Sequence, residues 1–358
     1  MNQTIAAREI SDLVQDQAAR LFAEHAGRSV LDAAEAGTYP AGLWSAVEEA
    51  GFTLALVAEE EGGAGLEVAD ALRLVRLAAY HTAPVPLAET MLAAWLWSMA
   101  GGAVPAGEIT LAPVRPGGSL NLRDGRIEGS AEGIPWGGRA GHCLAFAGDT
   151  AGGPLLALVP APSLAVTGGG RNLAFEPRDR IRFAAVPLSQ AAIRPAPEWM
   201  GSDGLLELGA VLRAQQMVGA MQRCLDHALS YAVERVQFGR PIARFQAIQQ
   251  MLAVAAGHLA AATAVADEAI DAMVRRDIAL AASVAKARVG EAAGEVASIC
   301  HQVHGAMGFT QEHPLHFATR RLWSWRDEFG GEAFWQERIG RRVCAGGGEA
   351  LWPMLAGA

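Results

Sequence analysis

Hydrophobic residues along this chain repeat with two different periods, and the changes of period mark three regions. From Ile5 to about Gly102, apolar positions recur three and four residues apart in ISDLVQDQAARLFAEHA and again in ADALRLVRLAAYHTA, which is the spacing of one helix face. Tyr39-Pro40 and Glu61-Gly62-Gly63 cut this region into short helices. From Val104 to about Pro197 the runs shorten to EITLAPV, CLAFA, PLLALVP and RIRFAAVPL, separated by PGG, DGR, GDTAGG and GGGR, a pattern that predicts strands joined by tight turns. From Ser202 to about Ala345 the helical period returns in three long segments and a shorter final one, rich in Ala and Gly, which predicts a four-helix bundle with close helix approach. The expected organisation is mainly α with a central β-domain: an N-terminal α-bundle over 1–103, a β-barrel or sandwich over 104–197, and a C-terminal four-helix bundle over 198–358. The tail CAGGGEALWPMLAGA reads as a loose terminus.

Composition narrows the function classes. A chain of 358 residues suits two or three packed units, and 51% hydrophobic with 19% charged residues describes a globule with a large interior. A net charge of −9 without any Lys/Arg block disfavours nucleic acid and anionic membrane surfaces as partners, leaving a small molecule as the default ligand. Apolar stretches such as Ile278 to Gly290 are interrupted by Lys or Gly before the roughly 20 residues of a membrane span. Cys143, Cys224, Cys300 and Cys344 are scattered, with no CxxC and no His pair at ligand spacing, so neither a metal site nor a disulfide framework is expected. The charged N-terminal segment has no apolar core of an export signal, and a cytoplasmic location is expected.

Two segments carry a resemblance. YAVERVQFGRPIARFQAIQQMLA resembles the RxxFGxxIxxFQxxQxxLA signature of acyl-CoA dehydrogenases, and HQVHGAMGFTQEHPLHFATRR resembles that family's QxxGGxGxxxxxP segment, in the same order and spacing. LWSAVEEAGFTLALVAEEEGGAGLEVADALRLVRLA looks like its N-terminal region. The resemblance covers essentially the whole chain and implies the family's fold, FAD as cofactor, α,β-desaturation of an acyl-CoA, an electron-transfer flavoprotein as acceptor, and a homo- or heteromeric dimer or tetramer. It places Arg235, Gln237, Phe238, Phe245 and Gln246 against the FAD of a neighbouring subunit, together with Gln302, Gly305 and Ala306. These residue types suit a dinucleotide, since Arg235 offers a fixed guanidinium to a pyrophosphate, Gln237 a neutral donor, Phe238 a flat apolar surface, and the small residues allow close backbone approach. Taken singly, Arg235 also reads as a cation at a helix C-terminus and Phe238 as a core residue.

The same resemblance exposes departures. The loop that the family presents to the flavin is reduced to ITLAPVRPGGS, in which Thr110 and Pro113 hardly reproduce it. In GIPWGGRAGHCLAFA, Trp136 stands where an aromatic stacks on the flavin ring, or is a core residue of the β-domain, and Gly138 stands where a hydroxyl is usual. The family reaction needs a carboxylate to take the proton next to the thioester. By residue count the usual position of that base is Phe329, and the alternative position that some relatives use is Gly209. Glu207 lies two residues from Gly209, about 200° round the helix. Glu328 is one residue from the first position, and the Gly330-Gly331 break offers a way to re-aim it, so Glu328 is the candidate base; otherwise it is a solvated acid at a helix end. Three functions follow: an acyl-CoA dehydrogenase with its own base, a base-less partner subunit of a heteromeric enzyme of the kind found in bacterial steroid side-chain degradation, or a flavin-free structural homologue.

Overall fold

Five helices open the chain: α1 (Asn2–His25), α2 (Arg28–Glu35), α3 (Ala41–Glu49), α4 (Val68–Tyr80) and α5 (Leu87–Met99). They were traced in a computed structural model that describes residues 2–149 and 153–356. Helix α5 is apolar on every side and buried from Leu87 to Trp97 apart from Trp95, as a helix without a polar face must be. It is tied to the next region by Thr90, whose hydroxyl accepts from Ile109 N (3.1 Å) and donates to Ile109 O (3.3 Å).

The middle region holds β1 (Ile109–Ala112), β2 (Leu120–Arg123), β3 (Arg126–Pro135), β4 (His142–Asp149), β5 (Gly153–Pro160), β6 (Ala165–Arg171), β7 (Pro177–Pro187) and β8 (Ile193–Pro195). They form one mixed eight-stranded sheet in the order β6-β7-β3-β2-β4-β5-β8, with β1 parallel to β4. The central β-domain expected from the turn spacing is present as this mixed sheet. Its edges are β6, exposed along its whole length with Gly168-Gly169-Gly170 offering no side chains to pack, and the three-residue β8. The centre of the GDTAGG turn lies outside the described residues.

The third region consists of α6 (Gly204–Glu234), a small hairpin of β9 (Val236–Gln237) and β10 (Arg240–Pro241), α7 (Gln246–Arg275), α8 (Ala279–His304), α9 (Leu315–Asp327), α10 (Glu332–Gly346) and the short α11 (Leu351–Ala356). Helices α9 and α10, separated by the break at 328–331, share the fourth position of the bundle. The tail expected to be loose contains α11. Helix α7 departs from the expectation drawn from interrupted apolar stretches: it is long and apolar enough, by length and composition, to cross a membrane. Only 22% of its most apolar window is buried within the chain. Val254 and Val274 on α7, Leu229 and Val233 near the end of α6, and Val236 in β9 are exposed apolar residues.

Small residues set the helix spacing. A Cβ built on Gly219 of α6 would lie 2.1 Å from the carbonyl oxygen of Arg76 in α4, so the two backbones touch there. Gly219→Ala is expected to force the N-terminal bundle off α6 and to lower unfolding free energy by about 3 kcal/mol, read as a drop in denaturant midpoint at unchanged slope.

Candidate active site

The break between α9 and α10 places Phe329 in the left-handed region (φ 54°), where a non-glycine residue is strained and must be held by its surroundings. Two donors hold it from below. The Trp335 indole N–H donates to the carbonyls of Phe329 (3.1 Å) and Gly330 (3.2 Å), and the Lys286 ammonium, fully buried on α8, donates to the carbonyls of Arg326 (2.6 Å) and Gly330 (2.7 Å). Burial pulls the Lys286 ammonium down to about 7, against the opposing pull of Glu332 and Glu328.

The ring of Phe329 is buried against Gly209 of α6. A Cβ at position 209 would meet the Phe329 Cδ1 atom at 2.0 Å, so any larger residue there would occupy the space of the ring. The two positions at which a base was sought are therefore spatial neighbours, and an aromatic ring resting on a glycine fills the space between them. One turn further along α6, the Arg213 guanidinium carbon stands 5.2 Å from the centre of the same ring.

Glu328, the candidate base, is neither solvated nor free. Arg178 donates to both its oxygens (Nε to Oε1, 2.7 Å; Nη2 to Oε2, 3.0 Å), Arg213 Nε donates to Oε2 at 2.8 Å, and Asn172 Nδ2 to Oε1 at 3.2 Å. Burial alone would raise this carboxyl; Arg178, then Arg213, and the hydrogen bonds from Arg178 and Asn172 outweigh it and hold the group at about 2. Such a carboxylate is a weak proton acceptor with its lone pairs already engaged, which removes it from the role of general base. Glu207, the discounted alternative, is buried and bound by Arg338 Nη2 at 2.7 Å.

The Glu328 contacts belong to a longer chain of charges that sequence reasoning missed. Arg213 Nη2 reaches Glu89 of α5 at 2.6 Å, Arg178 Nη2 reaches Glu176 at 3.1 Å, and Arg321 of α9 donates its Nε to Glu176 at 3.0 Å. All six groups are buried or nearly so. A signal was present in the sequence: Glu89 and Arg213 each interrupt a long apolar helical run, where an unpaired charge would be prohibitive. Beside Arg178 and Glu328 lies a cavity of about 600 Å³, walled by Val114 and Arg115 from the β-domain and by Trp323, Phe329 and Gly331.

The cofactor residues proposed from the resemblance fall into two groups. Arg235, Gln237, Phe238, Phe245 and Gln246 sit on and around the β9–β10 hairpin at the end of α6, outside the chain's own core; the Phe238 side chain is 92% exposed. Its ring meets Phe245 edge-on at 6.1 Å, and Arg240 lies over Phe245 at 4.3 Å. Gln302, Gly305 and Ala306 are also exposed, at the end of α8, and Gly305 adopts φ 59°, ψ −140°, which suits glycine. Tyr231 stacks on His304 at 4.7 Å and so brings both segments to one end of the bundle. Trp136 is elsewhere. It is buried with φ 56°, meets Tyr39 edge-on at 5.8 Å, and lines a separate cavity of about 240 Å³. The Gly138 N–H is taken by Asp179 (2.7 Å) and the buried Thr110 hydroxyl by the Pro135 carbonyl (2.5 Å). The exposed C-terminal group fits a flavin nucleotide presented by another chain, whereas in the β-domain group the Gly138 N–H and the Thr110 hydroxyl are already bound within the chain.

This arrangement of an α-bundle, a mixed sheet and a second bundle broken between its last long helices is that of a family. Residues 8–103 match the model for the acyl-CoA dehydrogenase N-terminal domain and residues 199–343 the model for the acyl-CoA dehydrogenase C-terminal domain, and the chain belongs to that family. It is 30% identical over 319 residues to acyl-CoA dehydrogenase IpdE2 of Mycolicibacterium smegmatis, covering 87% of this chain and 92% of the relative, and 31% identical over 318 residues to IpdE2 of Mycobacterium tuberculosis, covering 87% and 91%. Among solved structures it is similar to a variant of the Tcur3481–Tcur3483 steroid ACAD (TM-score 0.84, 26% identity, 95% and 99% of the two chains). The ChsE4–ChsE5 complex from Mycobacterium tuberculosis shares the fold (TM-score 0.81, 21% identity, 95% and 97%).

Two stability measurements follow from the charges. Glu328→Gln leaves Arg178 and Arg213 without their shared anion and is expected to cost about 3–5 kcal/mol in chemical denaturation. Lys286 has a folded value below its unfolded one, so the unfolded chain binds more protons between about pH 7 and 10 and stability rises with pH there. Relative to Lys286→Met, the wild type should gain up to about 1.4 kcal/mol per pH unit over that window, and nothing below it.

Proposed function

We propose that this chain is the base-less subunit of a heteromeric acyl-CoA dehydrogenase. It completes the flavin site of a partner chain through the end of its bundle, and the partner supplies the carboxylate for α,β-desaturation of an acyl-CoA. FAD, when bound in such a site, accepts the hydride from the β-carbon of the acyl group. What this chain contributes is binding: Arg235 and Gln237 toward the pyrophosphate, Phe238 and Phe245 as apolar surfaces, and the exposed backbone around Gly305 where the nucleotide approaches.

The observation that carries this proposal is the contact of Phe329 with Gly209, which leaves both base positions without a carboxylate and closes the space between them. The locked state of Glu328 points the same way, as does the likeness to Tcur3481–Tcur3483, whose name joins two chains in one steroid ACAD. The uncovered apolar side of α7 suits burial against another subunit. An electron-transfer flavoprotein is the proposed acceptor, and steroid-type acyl-CoA thioesters are the first substrates to try.

Anaerobic titration with a panel of acyl-CoAs tests this. The isolated chain should not bleach any flavin it carries, while the chain co-expressed with a homologue bearing a glutamate at either base position should. Bleaching by the isolated chain, abolished in Glu328→Gln, would restore Glu328 as the base; a colourless complex would leave the flavin-free function. In the active complex, Arg235→Ala is expected to weaken FAD retention by roughly 10- to 100-fold, the effect of losing charge-assisted hydrogen bonds worth about 1.5–3 kcal/mol, measured as flavin released on dilution.

A further inference from the structure

A third cavity, of about 400 Å³, lies away from the base positions, where the turn between α1 and α2 and the end of α4 meet α6 and the start of α9. Its polar lining is basic: Arg28, His81, Arg223 and His227, with no carboxylate among the lining residues. Arg223 makes no ion pair among the described residues; its guanidinium carbon sits 5.2 Å from the centre of the Tyr80 ring. Asp226, the acid nearest to it in sequence, is engaged by the Tyr80 hydroxyl (2.8 Å) and the Gln222 amide (2.8 Å). Neither the His81 nor the His227 imidazole has a hydrogen-bond partner among the described residues, so each has an N–H to offer.

Helix α2 begins in the same wall. Its N-cap, Gly27, supplies no side chain to the first amides of the helix, and Gly27 and Arg28 both line the cavity. The Arg28 side chain is committed elsewhere, to Asp32 (3.1 Å) and to the backbone carbonyls of Gln311 and Glu312. Thr82, also in the wall, is a buried β-branched residue at φ 53°, a conformation that persists only where the surroundings over-determine it. The charge of Arg223 is felt by its neighbours: burial and then Arg223 push the His227 imidazole down to about 3, and the same two causes lower His81. Leu31 and Phe317 give one side of the cavity an apolar surface.

We propose that this cavity binds a phosphate monoester, with Arg223 as its charge partner, the His81 and His227 imidazoles and the first amides of α2 as donors, and the Leu31–Phe317 side against any attached organic group. A dianion matches a lone cation supplemented by neutral donors and a helix N-terminus, and nothing else in the wall balances Arg223. The site is separate from the base positions; it borders the segment after α8 through Pro314 and the edge-on contact of His227 with His313 (5.6 Å), and it uses none of the residues placed against the flavin nucleotide.

The test uses the full chain and inorganic phosphate, read by isothermal titration and by melting temperature against chloride at matched ionic strength. Phosphate should bind saturably and raise the melting temperature where chloride does not, and Arg223→Gln should weaken binding at least about tenfold, the scale of one charge-assisted hydrogen bond. His227→Gln, expected to reduce binding less, serves if the arginine variant does not fold. Parallel titrations with coenzyme A and dephospho-coenzyme A distinguish the source: preference for the former over both dephospho-coenzyme A and phosphate assigns the site to a nucleotide 3′-phosphate, and equal response to phosphate alone assigns it to the free ion. No phosphate effect beyond chloride, or undiminished binding in every folded variant, overturns the proposal.

Discussion

The chain of alternating charges Arg321–Glu176–Arg178–Glu328–Arg213–Glu89 is the constraint on which the arrangement of this molecule depends. It begins on α9, crosses the segment between β6 and β7, and ends on α5, so it joins the C-terminal bundle, the sheet and the N-terminal bundle through side chains rather than backbone. Three arginines face three glutamates, and the interior remains neutral. Such a chain is tolerable only when complete, because each member left alone would be a desolvated charge costing several kcal/mol. The three regions are thereby coupled in register: a shift of the sheet against either bundle would strand an ion.

That constraint also determines what the site can do. For the family reaction either the turn after α9 or the position of Gly209 on α6 has to present a carboxylate to an acyl group with its proton affinity intact. Here the nearest carboxylate is drawn one residue away and clamped by two guanidiniums, and the ring next to it is turned onto Gly209 by a strained backbone that Trp335 and Lys286 hold in place. The features reinforce each other. The ion pairs of Glu328 orient the turn, the turn seats Phe329, and the glycine at 209 is what makes room for it. A single substitution at 328 or 329 would not recover an ordinary base without also disposing of Arg213.

Periodicity made the three regions legible, because helices and strands bury their faces at different spacings and the changes fall near Gly102 and Ser202. The residue-count alignment picked two positions, 329 and 209, that lie far apart in sequence and turn out to be spatial neighbours. What could not be read was the fate of each side chain. Glu328 looked like a solvated acid because the residues that capture it, Arg178 and Arg213, are 150 and 115 positions away in sequence. Trp136 looked equally suited to a flavin and to a core, and a positive φ with Tyr39 as neighbour decides its contacts by tertiary packing, which has no local signature.

The distribution of exposed surface completes the physical picture of a half-site. An isolated globule of this composition would turn polar faces outward along its last helices, yet α7 is among the most apolar helices in the chain and among the least buried. The hairpin beside it projects Phe238 almost wholly into solvent, at a positive φ that has no role in the chain's own core. Strained or exposed apolar groups persist when something outside the chain covers them. The same end of the bundle carries Arg235, Gln302 and Gly305, whereas in the β-domain the Gly138 N–H and the Thr110 hydroxyl are bound within the chain by Asp179 and the Pro135 carbonyl. Outward-facing groups are therefore the ones left unsatisfied within the chain, the asymmetry that the proposed partner-completing subunit would require.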